Sequence, residues 1–346
     1  MPKMPFLTVL IMMIKLIAET AWHHEGDFIF MKDLVTQICE NSNADIVKFH
    51  ITLDLDEYMS IDHEAYETLK AWMLSEAEWE VLIEIVRKNN KELMLLLNDK
   101  KAINFAKKFN PEIVELHSVT LNVPRLQTSI LENISKKTKI VIGVGGCSVE
   151  EVESAINFFQ EREIVLMFGF QNYPTKYKDV NLSKIRSIQN LFKDVLFGYA
   201  DHTAWDEKNN ELITLLVSSN TMHFIEKHVT TEYGRERCDF SAAISIDQLN
   251  SLREKVSLLN KLSGDGYMGL NDAEKSYSLY GPMKMAAIAI HNLNKGDKLT
   301  INDLHFCRTS QVTDMSQVNL LEVIGSNLAK DIKANQVILL EHIAKK

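Results

Sequence analysis

Eight short apolar runs recur along the first two-thirds of the chain, separated by stretches of helical texture. The runs are KLIAE (15–19), DIVKFHI (45–51), ELMLLL (92–97), EIVELHS (112–118), KIVIGV (139–144), EIVLMFG (163–169), VLFGYA (195–200) and HFIEKHV (223–229). They are apolar almost throughout rather than alternating, as strands of a parallel sheet buried on both faces are. Between them, Trp79, Leu82, Ile83 and Val86 recur at i, i+3, i+4 and i+7 within 76–89, which predicts an amphipathic helix. Over 148–160, Ser148 is placed to cap a helix with Glu151 at the capping-box position, and Val152, Ala155, Ile156 and Phe159 form its apolar stripe. Residues 209–220 read the same way. Eight strand–helix units over about 250 residues predict a (β/α)8 TIM barrel, an α/β fold, covering 1–262. The competing α/β arrangement, a doubly wound open sheet, would carry a Gly-rich turn after its first strand. None is present there.

The pattern changes after residue 262. SGDGYMGLNDAEKSYSLYG (263–281) is polar and Gly-rich and reads as a linker. Residues 282–346 then alternate, turn at NKGDK and start a short helix at Ile301–Leu304, which predicts a separate small β-rich domain. At the N-terminus, PFLTVLIMMIKLIA (5–18) is apolar but is interrupted by Lys15, lacks a small-residue cleavage site after it, and is too short to span a bilayer. It reads as a segment leading into the first strand.

Composition narrows the class. Of 346 residues, 46% are hydrophobic and 25% charged, as in a soluble globule. The net charge of −9 argues against nucleic acid or anionic membrane as a partner. Cys39, Cys147, Cys238 and Cys307 are scattered with no CxxC pair. That fits a reducing cytoplasm and offers no thiolate metal site.

Reactive groups of TIM barrels sit at the C-terminal ends of the strands. Here those ends carry Glu19, Lys48 with His50, Glu115 with His117 and Ser118, Gln171 with Tyr173, Asp201 with His202, and Glu226 with His228. A charge inside an apolar run is costly unless paired or used. Lys48 and Glu226 are therefore either an internal salt bridge or part of a site. Two histidines from adjacent strands, flanked by carboxylates, suit a divalent metal such as Mn2+ or Zn2+, although a strand histidine is more often a satisfied core residue. His23 and His24 read as loop structure.

Several of these motifs, in order and with fitting gaps, resemble the sialic acid synthase family, which condenses phosphoenolpyruvate with an N-acyl sugar aldehyde to make nonulosonic acids. IAETAWHHEGD resembles the family's IAEIGxNHxGD, DIVKFH its VKxQ strand, NYPTKYKDVNL its YPTPxxxxNL segment, GYADHT its GxSDHT and IEKHVT its ExHxT. AIAIHNLNKGDKLTINDL, LHFCR and EVIGSNLAKDIKANQVI resemble its C-terminal antifreeze-protein-like (SAF) domain. The resemblance implies His202 and His228 as ligands of a divalent metal, normally Mn2+. It implies Glu19 as the carboxylate near the attacking carbon or water, Lys48 as the holder of the enol donor's anionic groups, and Asp239 beside the metal-bound water. Ser118, Gln171, Tyr173 and Glu226 would contact substrates. Arg308 would grip the N-acyl group of a sugar in the partner subunit of a domain-swapped homodimer.

The donor half departs from that pattern. The family's strand-4 lysine aligns with Glu115, its STP threonine with Leu96, the serine of its STG turn with Gly143, the glutamine after the strand-2 lysine with His50, and the asparagine before YPT with Gln171. One charge pair at 4 Å is worth about 4 kcal/mol at an effective dielectric of 20, so lysine to glutamate exchanges an attraction for a repulsion of that order. The IGVGG turn still offers backbone N–H groups to an anion. Three readings follow: a nonulosonic acid synthase with a rearranged phosphate site, a diverged homologue using another donor in an aldolase-, lyase- or epimerase-type step, or a non-catalytic sugar-binding subunit.

Overall fold

The computed structural model describes residues 13–169 and 172–344, and the first part of the 5–18 run lies outside them. All eight apolar runs become strands: β1 Lys15–Glu19, β2 Ile46–Ile51, β3 Glu92–Leu97, β4 Ile113–Leu116, β5 Lys139–Gly143, β6 Ile164–Phe168, β7 Leu196–Asp201 and β8 Phe224–Thr230. Each pairs in parallel with the next, and β1 pairs with β8, so the sheet closes into a barrel. The predicted helices form at Glu76–Lys88, Val149–Phe158 and Asn210–Ser218. The Ser148–Glu151 capping box is made on both sides, with Ser148 Oγ accepting from Glu151 N and the Glu151 carboxylate accepting from Ser148 N. A two-residue strand, β9 Ile244–Ser245, extends from β8, and Ser245 caps the helix Ile246–Ser263. No helix among the described residues is long and apolar enough to cross a membrane.

Strand alternation sorts the side chains. Ile17, Ile46, Ile113 and Phe224 form an apolar floor inside the barrel, while Ala18, Val47, Val114 and Ile225 pack outward in the main core beneath the helices. Two residues further along the same strands, the inward positions are Glu19, Lys48, Glu115 and Glu226. β1 pairs with β2 at Glu19↔Lys48 and with β8 at Ile17↔Glu226 and Glu19↔His228. A layer of charge thus rests directly on a layer of hydrocarbon. His50 and His228, two residues further still, form the rim.

One ion pair faces the other way. Asp201 and Lys227 alternate outward from the barrel and are fully buried, with Lys227 Nζ 3.1 Å from Asp201 Oδ2 and 2.7 Å from Asn210 Oδ1. Asp201 also accepts from the Thr203 N–H and hydroxyl and from Thr214 Oγ1. Both carboxylate oxygens are hydrogen-bonded and the ammonium has two acceptors, which is what makes a buried pair tolerable. The Asp201 carboxyl stays below its ordinary range: burial raises it, but Lys227 and the two threonines outweigh that.

A second compact unit spans Gly266–Lys346. It begins within the stretch read as a linker and includes a short helix there, Asp272–Tyr277. Its strands β10 Ala286–Ala289 and β11 Leu304–Cys307 pair antiparallel. Ala289, Leu293, Leu299, Leu320, Leu328 and Ile332 make a core of its own. The NKGDK turn is closed by Asn294 N donating to Asp297 Oδ2 at 2.7 Å, with Gly296 at φ 94°. Such a φ favours glycine.

Lys227→Ala would strand a buried carboxylate and is expected to destabilise the protein by about 3–5 kcal/mol. Lys227→Ala with Asp201→Ala should lose less than the sum of the two single changes. Denaturant unfolding of the three variants checks both statements.

Candidate active site

The charged layer is one ammonium among three carboxylates. Lys48 Nζ lies 2.7 Å from Glu19 Oε2, 2.7 Å from Glu115 Oε2 and 3.0 Å from each oxygen of Glu226. The side chains are 3–4% exposed. Burial alone would drive the lysine toward its neutral form, but the three carboxylates outweigh it and hold the ammonium well above its usual range. Burial raises the carboxyls of Glu19 and Glu226 despite Lys48, the latter to about 8. Glu19 also fixes the loop behind it: its Oε1 accepts from Ala21 N at 2.8 Å and holds Ala21 at φ 47°. At the end of β5, a Cβ added to Gly143 would meet Ser118 N at 3.0 Å and Glu115 Oε1 at 3.6 Å. Glu115 thus fills the floor between β4 and β5.

Above this layer stand His202 and His228, their rings 4.9 Å apart and nearly perpendicular. Their tautomers follow from their neighbours. His202 Nδ1 faces the Gly169 carbonyl at 3.2 Å and must donate to it. Gly169 has φ 110°, and a Cβ there would overlap the Ala200 carbonyl at 1.9 Å, so only glycine presents this acceptor. Tyr173 donates its hydroxyl proton to the Asp239 carbonyl, so its oxygen accepts from His228 Nδ1 at 3.2 Å. In both rings the lone pair is therefore on Nε2. Burial lowers both basicities, to about 4 for His202 and further for His228, where the neighbouring His202 adds to the effect. Two neutral imidazoles, each with Nδ1–H anchored and an Nε2 lone pair, form a donor set that fits a divalent transition metal. No group of three or more His, Cys, Asp or Glu poised for a metal exists among the described residues.

Asp239 ties the rim together. It sits at φ 65°, and its Oδ2 accepts from Trp22 N at 3.3 Å. Burial raises its carboxyl. These groups line a cavity of about 460 Å³ at the C-terminal mouth of the barrel, with a half-buried Ser118 and Tyr173 on its wall.

The structure thus brings together Glu19, Lys48, Ser118, Tyr173, His202, Glu226, His228 and Asp239. Gln171 lies outside the described residues. Arg308 belongs to the second unit, where its guanidinium donates to the Pro282 carbonyl. His23 is loop structure, bonded to the Cys238 carbonyl and Thr230 Oγ1 at 2.7 Å each. Sequence reasoning noted His50 and His117 without a role and passed over Asn98. His50 takes a 2.7 Å hydrogen bond from Asn98 Nδ2, and its ring lies stacked 6.4 Å from that of His117. Both imidazoles are pushed toward neutrality, chiefly by burial. The signal for Asn98 was its place one residue beyond the ELMLLL run.

Residues 34–268 match the NeuB family. The chain belongs to the NeuB family. It is 27% identical over 349 residues to the N,N'-diacetyllegionaminic acid synthase of Legionella pneumophila, covering 95% of this chain and 94% of that one. With the enzyme of the same name from Campylobacter jejuni the identity is 25% over 340 residues, 93% and 98% of the two chains. Among solved structures, a sialic acid synthetase from Leptospira borgpetersenii superposes with TM-score 0.68 at 22% identity, over 76% of this chain and 89% of that one. A Bacillus subtilis spore coat polysaccharide biosynthesis protein does so with TM-score 0.60 at 18% identity, over 96% of each. The barrel and the synthase-type reading drawn from the sequence agree with this membership in the NeuB family.

Because both imidazoles are already neutral, Mn2+ binding should stay flat as pH falls from 8 to about 5, whereas a histidine pair of ordinary pKa, 6.5, would lose affinity through that range. Tyr173→Phe removes the anchor on His228 Nδ1 and should weaken Mn2+ binding about 10- to 100-fold. Titration followed by electron paramagnetic resonance reads both.

Proposed function

We propose that this chain is a nonulosonic acid synthase: it joins the methylene carbon of a three-carbon enol donor, phosphoenolpyruvate in the reaction the resemblance implies, to the aldehyde carbon of an N-acyl sugar. The observation that carries the proposal is the pair of anchored, neutral imidazoles directly above a buried carboxylate at a barrel mouth. His202 and His228 would hold the metal, Mn2+ in this reading, which supplies a Lewis acid for the aldehyde oxygen.

The remaining work falls to the chain's own groups. Tyr173 orients His228 and walls the acceptor's side of the cavity. Glu19, poised by Ala21 N and Lys48, is the carboxylate that takes or returns a proton at the reacting carbon. Asp239 assists at the rim, and Glu226 reaches a sugar hydroxyl from the cavity floor. Ser118 and the 143–146 turn offer neutral hydrogen-bond donors to the donor substrate, and Gln171 completes the substrate contacts. Arg308, in the second, antifreeze-protein-like unit (282–346), recognises the N-acyl group across a domain-swapped homodimer. The enzyme works in the cytoplasm on small molecules, with no nucleic acid or membrane partner.

Incubation of the Mn2+-loaded protein with a panel of N-acyl hexosamines and either phosphoenolpyruvate or pyruvate should yield a nine-carbon 2-oxo acid, detected by mass spectrometry. Glu19→Gln should slow its formation by about 10²-fold or more. No product from either donor would overturn the proposal.

A further inference from the structure

The cavity's cation budget is closed. Among the described lining residues Lys48 is the one lysine or arginine. An ammonium has three N–H bonds, and three carboxylates lie within 3.0 Å of Nζ. A phosphate entering the cavity would find Lys48 already ion-paired with three carboxylates and would face Glu115 itself. The rest of the wall offers neutral groups: His50, whose Nε2 takes the Asn98 amide, His117, the Ser118 hydroxyl and the turn after β5. Space agrees with charge, since Glu115 Oε1 stands 3.6 Å from where a side chain at Gly143 would begin. The Glu115 carboxylate thus occupies, covalently attached to the protein, the position on Lys48 that an anionic substituent of the donor would otherwise take.

We propose that the donor subsite of this enzyme takes a non-phosphorylated 2-oxo acid rather than a phosphorylated enol, with Glu115 standing in for the missing anion on Lys48. This inference rests on the synthase reading and names its donor. With such a donor the step is an aldol addition. The donor's methyl carbon gives a proton to a pocket carboxylate, its C–H electron pair passes through the enolate into the new bond to the aldehyde carbon, and the aldehyde oxygen takes up a proton. Nothing is oxidised, no water is consumed and no phosphate leaves. Lys48 does not serve as a Schiff-base nucleophile, because its ammonium is held by three carboxylates.

The test is calorimetric titration of pyruvate, phosphoenolpyruvate and inorganic phosphate into the Mn2+-loaded full chain, in the natural protein, Glu115→Gln and Glu115→Lys. The natural protein should bind pyruvate at least about tenfold more tightly than phosphoenolpyruvate. Glu115→Gln should tighten binding of phosphoenolpyruvate and phosphate, and Glu115→Lys should do so by about tenfold or more. Glu115→Gln keeps the shape of the floor and decides the matter where the lysine variant does not fold. Phosphoenolpyruvate binding as tight as pyruvate binding, an absence of pyruvate binding, or no gain of phosphate in the folded variants would each overturn the inference. In the product assay, product from phosphoenolpyruvate alone sinks this inference and leaves the synthase standing, whereas no product from either donor sinks the synthase itself.

Discussion

Everything in the barrel mouth is arranged around one ammonium that cannot reach water. Lys48 is carried inward by β2 onto an apolar floor, where an isolated charge would be untenable. Three carboxylates from β1, β4 and β8 make it tolerable, each reaching within 3.0 Å of its Nζ from an inward position of its strand. The constraint runs both ways. Three carboxylates this close would repel one another strongly without the lysine, and the raised carboxyls of Glu19 and Glu226 show how far burial works against their charge even with it. Removing the lysine would leave three uncompensated carboxylates in hydrocarbon, the case in which a buried ion pair matters most. The floor of the site is therefore rigid for electrostatic as well as packing reasons, and the rim is built on a fixed base.

The rim is set by hydrogen bonds of a different kind. His202 is aimed by a backbone carbonyl that only a glycine at 169 can present, and His228 by a tyrosine whose own proton is committed to the Asp239 carbonyl. Burial keeps both imidazoles neutral. Asp239 links the loops after β1 and β8 through Trp22 N. On the outer side of the barrel, Asp201 and Lys227 pin the strands that carry the two histidines without entering the cavity.

How much of this could be read from the sequence follows from which interactions are local. Strands buried on both faces leave continuous apolar runs, so all eight were legible, and the capping box at Ser148 and Glu151 was legible because it lies within four residues. The inward charges could be picked out as anomalies within apolar runs, and Lys48–Glu226 was one of the two readings of them. What did not show was that Glu19 and Glu115 reach the same ammonium. Contacts across three strand pairings depend on register, and register is set by the whole barrel. Glu115 could be read as a strand-end group and as a departure at an aligned position, and its partner became evident from its place in the layer. The tautomers of His202 and His228 were equally out of reach, since they depend on a glycine carbonyl 33 residues away and a tyrosine 55 residues away.

The two layers also fix the charge that the cavity can accept. Glu19, Glu115, Glu226 and Asp239 face Lys48 alone, and a dication on the two histidines would still leave the set one positive charge short of balance. Burial, which pushes the Glu226 carboxyl up to about 8, works in the direction that closes that gap. A balanced cavity in a low-dielectric wall admits a neutral acceptor sugar readily and a singly charged donor at modest cost. A donor bearing both a carboxylate and a phosphate would bring close to three negative charges to a place where the one lysine is already shared three ways. At about 4 kcal/mol for each uncompensated pair at contact distance, the phosphate is the group this pocket is least able to hold. The sugar side of the cavity, built from neutral imidazoles, a phenol and an orienting aspartate, carries no comparable penalty.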